Sequence, residues 1–258
     1  MHEDSQRRIA VLFLQAHCNM TCSFCATENR VETLSMEKAQ SFLRLLRKQG
    51  LQEIILGGGE PLTWKPGAMA LAASAKSLGF HVQIGTNGIA LDPGRARSPE
   101  VDRFILPLES VSARVHDALR RFRTGHHALV LRRLDQLGRI GKPVTLSTVV
   151  TQSNADALAD LARWIEDYHA RFGTVHAWHL YRFLPIGRGG GPNASRLATD
   201  YQRACAALQG LNPGFRILRR PDMRHSRCVG FFWREGGKWR GQSPYPLMLP
   251  AEAVPADC

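Results

Sequence analysis

Cys18, Cys22 and Cys25 follow one another in a C-x3-C-x2-C spacing, directly after the apolar run Ile9 to Leu14. Three thiolates this close together can hold three corners of a cubic 4Fe–4S cluster. Full cysteine ligation of such a cluster takes four thiolates, so three leave one iron open. An open iron is a place for chemistry, whereas a closed cluster only carries electrons. Zinc is the competing occupant, but it prefers four tetrahedral ligands, usually in clustered pairs. No second pair follows, and His17 stands next to Cys18, a poor geometry for sharing one ion. A disulfide framework belongs to small, cysteine-dense secreted chains; this chain has 258 residues and six cysteines. The triplet alone leaves a zinc or other redox site open.

Other stretches stand in order behind it. Phe24 precedes the third cysteine. Gly57-Gly58-Gly59-Glu60-Pro61 follows Glu53 to Leu56, a short apolar run that reads as a buried strand. Glycines there let the backbone approach a ligand closely. Thr86-Asn87-Gly88 follows the strand-like Val82 to Ile84, and Tyr181-Arg182-Phe183-Leu184-Pro185-Ile186-Gly187-Arg188-Gly189 closes a later strand. In this order the sequence resembles the radical S-adenosylmethionine (SAM) superfamily, over roughly residues 9 to 190. The resemblance implies a single 4Fe–4S cluster on Cys18, Cys22 and Cys25, with SAM as the second cofactor. The open iron would chelate the methionine portion of SAM, and an electron would split the sulfonium to a 5′-deoxyadenosyl radical that takes hydrogen from a substrate. It also implies that the Gly57, Gly58 and Gly59 backbone and Glu60 hold the SAM amino group, and that the strand end around Leu184 flanks the adenine. One stretch departs from the pattern: where the family often has Ser-Leu-Asp near the ribose, this chain has Pro107-Leu108-Glu109-Ser110, so Glu109 is the candidate ribose contact.

Elements must present these motifs. Strand signals fall near 9–14, 53–56, 81–85, 103–107, 144–150 and 175–184, with helices between them. Ser35 is a candidate N-cap for 36–49, with Gly50 at its end. Ala39, Phe42, Leu43 and Leu46 share one face of that helix. Further helices are expected over 68–78, 126–137 and, capped by Asn154, 155–171; Val115-His116-Asp117 with Arg120 and Arg121 precede the helix at 126. Strict β-α alternation implies a parallel sheet with helices outside, and the motifs lie just past the strand C-termini, where barrel enzymes place their chemistry. The expected fold is α/β, a partial (β/α)6 TIM-like barrel over 1–190, with a short C-terminal extension over 191–258 closing the barrel mouth. In the extension, a helix-like run covers about 200–208, and Glu235-Gly236-Gly237 suggests a hairpin between 229–234 and 238–240. Cys205, Cys228 and Cys258 are isolated, so no auxiliary cluster is expected; Cys205 reads as core, and Cys228 lies in the tail that faces substrate.

Composition sets outer bounds. No run of 18 apolar residues is present, so no membrane-spanning helix is expected. The polar N-terminus lacks the order of a signal peptide, which points to the cytoplasm. The net charge of +12 attracts anions. Arginine clusters carry it, at Arg120, Arg121 and Arg123, at Arg132 and Arg133, at Arg219 and Arg220, and at Arg224 and Arg227. No nucleic-acid module appears, and nucleic acid is not expected as a partner. The resemblance implies a small-molecule or peptide substrate and an electron donor such as flavodoxin or ferredoxin. Length, a single cluster motif and a tail without cysteine pairs look like the viperin branch, which acts on nucleoside triphosphates; the 183–187 stretch looks more like the cyclase and peptide-modifying branches. An iron–sulfur electron-transfer or regulatory protein is the reading from another class.

Overall fold

The structure is a computed structural model and describes residues 8–122, 125–191, 194–222, 226 and 228–250. Arg123, Arg224, Arg227 and Cys258 lie outside the described residues. Six strands follow the sequence pattern closely: β1 (Ile9–Phe13), β2 (Glu53–Gly57), β3 (His81–Gly85), β4 (Arg103–Pro107), β5 (Val144–Val150) and β6 (Val175–Arg182). They pair in order and in parallel. Between them run α1 (Met36–Lys48), α2 (Ala68–Ser77), α3 (Pro93–Arg97), α4 (Ala113–Arg120), α5 (His126–Arg139) and α6 (Leu158–Phe172).

Period-2 alternation sorts the strand side chains between two faces. Ala10 and Leu12, Ile54 and Leu56, Val82 and Ile84, and Phe104 and Leu106 are fully buried against the helices. The alternate residues of β1 to β6 line a common lumen. This is the open, mostly parallel sheet of a partial barrel.

α1 shows how the local sequence fixes an element. The Ser35 hydroxyl accepts from Lys38 N–H at 3.2 Å, Glu37 sits in the positive first turn, and Gly50 takes φ 84° just past the end. The helix expected over 155–171 begins instead at Leu158, after one 3-10 turn over 155–157. Asn154 does not cap it. Its side chain accepts from Thr151 N–H at 2.8 Å and donates to the Glu109 and Val149 carbonyls at 2.8 and 3.0 Å, so the oxygen that a cap would offer to the helix N–H groups is turned to Thr151 instead.

The segment after residue 190 adds strands to the same sheet. After α7 (Tyr201–Ala206), β7 (Arg216–Arg220) pairs in parallel with β6. β8 (Val229–Glu235) pairs in parallel with β1 on the opposite edge, and β9 (Lys238–Gln242) returns antiparallel to β8. The sheet order is β7-β6-β5-β4-β3-β2-β1-β8-β9. Gly236 and Gly237 form the hairpin turn with φ 57° and 75°, the left-handed pair that a two-residue turn requires. Cys205 is fully buried, as expected of a core residue. No helix among the described residues is long and apolar enough to cross a membrane.

Candidate functional site

The cysteine loop leaves β1 and is gripped from both sides by backbone. Gly59 N–H donates to Gln15 C=O at 2.7 Å, and Glu60 N–H to His17 C=O at 2.9 Å. On the other flank, Gly189 N–H donates to Cys25 C=O at 2.7 Å. The glycines are there for this approach. A Cβ on Gly59 would lie 1.9 Å from His17 O, and one on Gly187 2.3 Å from Ala26 O. The glycine-rich turn after β2 therefore first serves the cysteine loop itself. Phe24 has a packing role: it is buried with Leu119 and Phe183 in a small satellite core.

Cys18, Cys22 and Cys25 line one cavity of about 220 Å³ together with Gly58, Gly59 and Glu60. All three are free thiols, and each faces a donor from a different element. Asn87 Nδ2 is 3.9 Å from Cys18 Sγ, Arg120 Nη1 3.7 Å from Cys22 Sγ, and Arg188 Nη2 3.2 Å from Cys25 Sγ. Burial raises the Cys18 and Cys22 thiols, against the pull of Arg120 on Cys22. The sequence places Arg120 in a charge cluster after Val115-His116-Asp117 and Arg188 in the stretch 181–189, and assigns neither to the thiols. The signal that could have found Arg188 is its place between the two glycines that touch the cysteine loop.

Glu60 is 1 % exposed and is a hub. Its carboxylate accepts from Thr86 Oγ1 at 2.7 Å, from Asn87 N–H at 2.7 Å and from Leu62 N–H at 3.1 Å. Burial pushes the carboxyl up, and these three donors pull it back. Gly57 packs against Val11 and does not line this cavity. Glu109 is fully buried; it pairs with Arg120 and accepts from Val149 N–H at 2.8 Å, so it reaches the thiols through Arg120. Leu184 lines a separate cavity of about 460 Å³ at the end of β6.

His116, Asp117 and His126 place their ligand atoms within 4.8 Å of one another, but every ring nitrogen of the two histidines is engaged. His126 Nε2 lies 2.9 Å from Asn87 C=O, which only accepts, so Nε2 carries the hydrogen. His126 Nδ1 then accepts from His116 Nε2 at 2.8 Å, and His116 Nδ1 accepts from Glu109 N–H at 3.1 Å. This neutral chain ties the loop after β4 to the loop after β3.

A family model for the radical SAM superfamily matches residues 12–165. The chain belongs to the radical SAM superfamily. Among its relatives, an AdoMet-dependent heme synthase of Methanosarcina barkeri is 28% identical over 203 residues, which cover 76% of this chain and 56% of that protein. The sporulation killing factor maturation protein SkfB of Bacillus subtilis is 30% identical over 155 residues, covering 56% and 36%. In fold, SuiB of Streptococcus suis superposes with a TM-score of 0.68 at 14% identity, covering 84% of this chain and 50% of SuiB. The chain thus spans about half the length, or less, of the proteins it matches. The superfamily's cofactors are a 4Fe–4S cluster and SAM.

The residues present fit those groups. The Nε–H groups of Arg120 and Arg188 are buried with no hydrogen-bond partner, and both arginines line the thiol cavity. Donors so placed suit cluster sulfur or a ligand carboxylate.

Proposed function

We propose that this chain is an enzyme that cleaves SAM reductively and abstracts hydrogen from a substrate in the barrel lumen. The observation that carries this is a single cavity holding three free thiols, the Gly58–Glu60 turn and two arginines with unpaired buried N–H groups. When bound, the cluster and SAM supply the one-electron cleavage and the hydrogen-abstracting radical. Cys18, Cys22 and Cys25 would hold the cluster, and Asn87, Arg120 and Arg188, which face those thiols, would offer hydrogen-bond donors beside it. The Gly58–Gly59 backbone and Glu60 would shape the methionine end, whereas Gly57 packs on Val11, Glu109 is fully buried against Arg120 and Leu184 lines a separate cavity, so the adenine and ribose contacts expected of Leu184 and Glu109 are not proposed. A one-electron donor such as flavodoxin or ferredoxin completes the system.

Anaerobically reconstituted, dithionite-reduced protein is expected to form 5′-deoxyadenosine. Cys22→Ala is expected to lose both this product and the iron–sulfur absorbance. An intact cluster with SAM bound and no 5′-deoxyadenosine would overturn the reading. For the substrate, a phosphorylated small molecule is supported by the basic charge. A peptide is the second reading, supported by the maturation protein SkfB and by SuiB, which has been solved bound to its precursor peptide. Stimulation of SAM cleavage by nucleoside triphosphates or by peptides separates them.

A further inference from the structure

Beneath the thiol cavity the lumen widens into a space of about 450 Å³, and Ile105 lines both. Its lining includes His176, Arg216 and Asp222, each of which is engaged with a partner, and two further sets of polar groups. One is closed on itself: Arg103 Nη2 pairs with Glu53 at 2.8 Å, Arg103 Nε donates to Gln83 Oε1 at 3.0 Å, and Gln83 donates back to Glu53. That set has spent its charge internally.

The other set lies on β6 and β7. Arg219 borders the lumen, but its guanidinium is turned to Cys205 C=O at 3.0 Å. Arg220 stands directly across from Tyr181 in the strand register. The Arg220 backbone is fixed by its N–H donating to Tyr201 Oη at 2.9 Å. Arg220 lines the lumen, its charge acts on both His179 and Tyr181, and its guanidinium makes no hydrogen bond or ion pair among the described residues. Beside it, His179 Nδ1 and Tyr181 Oη are 3.1 Å apart. Burial, then the charge of Arg220, hold His179 down at about 3, so the ring is neutral. Whichever of the two groups donates, one hydrogen remains over, on His179 Nε2 or on the Tyr181 hydroxyl.

We infer that Arg220, with Tyr181 and His179, seats an oxyanion of the substrate, a carboxylate or a phosphate ester, and so aims the rest of that molecule upward past Ile105 toward the thiol cavity. A planar cation with a neutral donor beside it matches two oxygens of such a group. The inference rests on the proposed radical chemistry only for what lies above the seat; the anion binding stands on its own.

The test is calorimetric titration of the holoprotein, loaded with cluster and SAM, with inorganic pyrophosphate and separately with succinate. Loading is scored independently by iron content and absorbance, so a failure of the radical reading is seen separately from a failure of the seat. Saturable binding of either anion is expected, at least about tenfold weaker in Arg220→Gln, several-fold weaker in Tyr181→Phe, and unchanged in Arg139→Gln, an exposed arginine of α5. The anion that binds identifies the group as phosphate or carboxylate. No saturable binding of either, equal binding in Arg220→Gln, or equal weakening in Arg139→Gln would overturn the proposal.

Discussion

Glu60 is surrounded by donors only: the Thr86 hydroxyl and the Asn87 and Leu62 N–H groups. The Thr86 oxygen already accepts from Gly88 N–H at 3.1 Å, so its hydrogen is committed to Glu60. A carboxylate satisfies all three donors; an amide of the same shape does not, because its NH2 must face one of them. Glu60→Gln is therefore expected to cost about 1–3 kcal/mol, the price of a buried donor left unmet. Urea denaturation of the cluster-free protein reads this directly. A midpoint unchanged from wild type would mean that the hub carries no stability and that Glu60 serves ligand contact alone.

At the scale of elements, loops after successive strands are locked to one another without regular secondary structure. The glycine turn after β2 touches the cysteine loop so closely that Gly59→Ala, with its Cβ 1.9 Å from His17 O, must displace the backbone leading to Cys18. Reconstituted Gly59→Ala is expected to bind much less iron than wild type while keeping its far-UV circular dichroism. Full iron content would show that the loop tolerates the shift. The histidine chain between α4 and α5 makes a pH-dependent prediction. Burial holds His116 at about 2 and His126 at about 4, well below the free value of about 6.5. Below pH ~6.5 the unfolded chain therefore binds more protons than the folded one. The neutral pair's contribution is fully present above that pH and declines as pH falls toward the folded values. His126→Gln keeps a donor and an acceptor in place but does not titrate, so its stability should fall less between pH 7 and 5 than that of wild type. Identical slopes for the two proteins would remove the pair from the acid sensitivity of the fold.

For the whole molecule, what was legible in the sequence follows from how far each feature reaches along the chain. The C-x3-C-x2-C loop and the glycine turn are contiguous, and the six β-α units repeat a period, so both could be read locally. Arg120 and Arg188 reach the thiols from distant elements; nothing local separates Arg120 from Arg121, which ends α4 at φ 47° with its side chain exposed. β7 was hidden because its Arg-Ile-Leu-Arg-Arg sequence looks like a charged surface run. The hairpin of β8 and β9 was legible, but not its pairing with β1, because parallel partners leave no turn between them to read. That pairing makes the tail a structural part of the barrel. Phe232 is 1 % exposed and packs against Phe42 of α1 at 5.5 Å, and Trp239 of β9 stacks on the same ring at 3.8 Å. If the hairpin folds as one unit with the barrel, Phe232→Ala should lower global stability by about 3–5 kcal/mol, as for other buried aromatics, in one cooperative transition. If the hairpin were only an appendage, the main urea midpoint would hold and native-state hydrogen exchange would show opening confined to 229–242. Only the first result is compatible with a sheet whose β1 edge is completed by the tail.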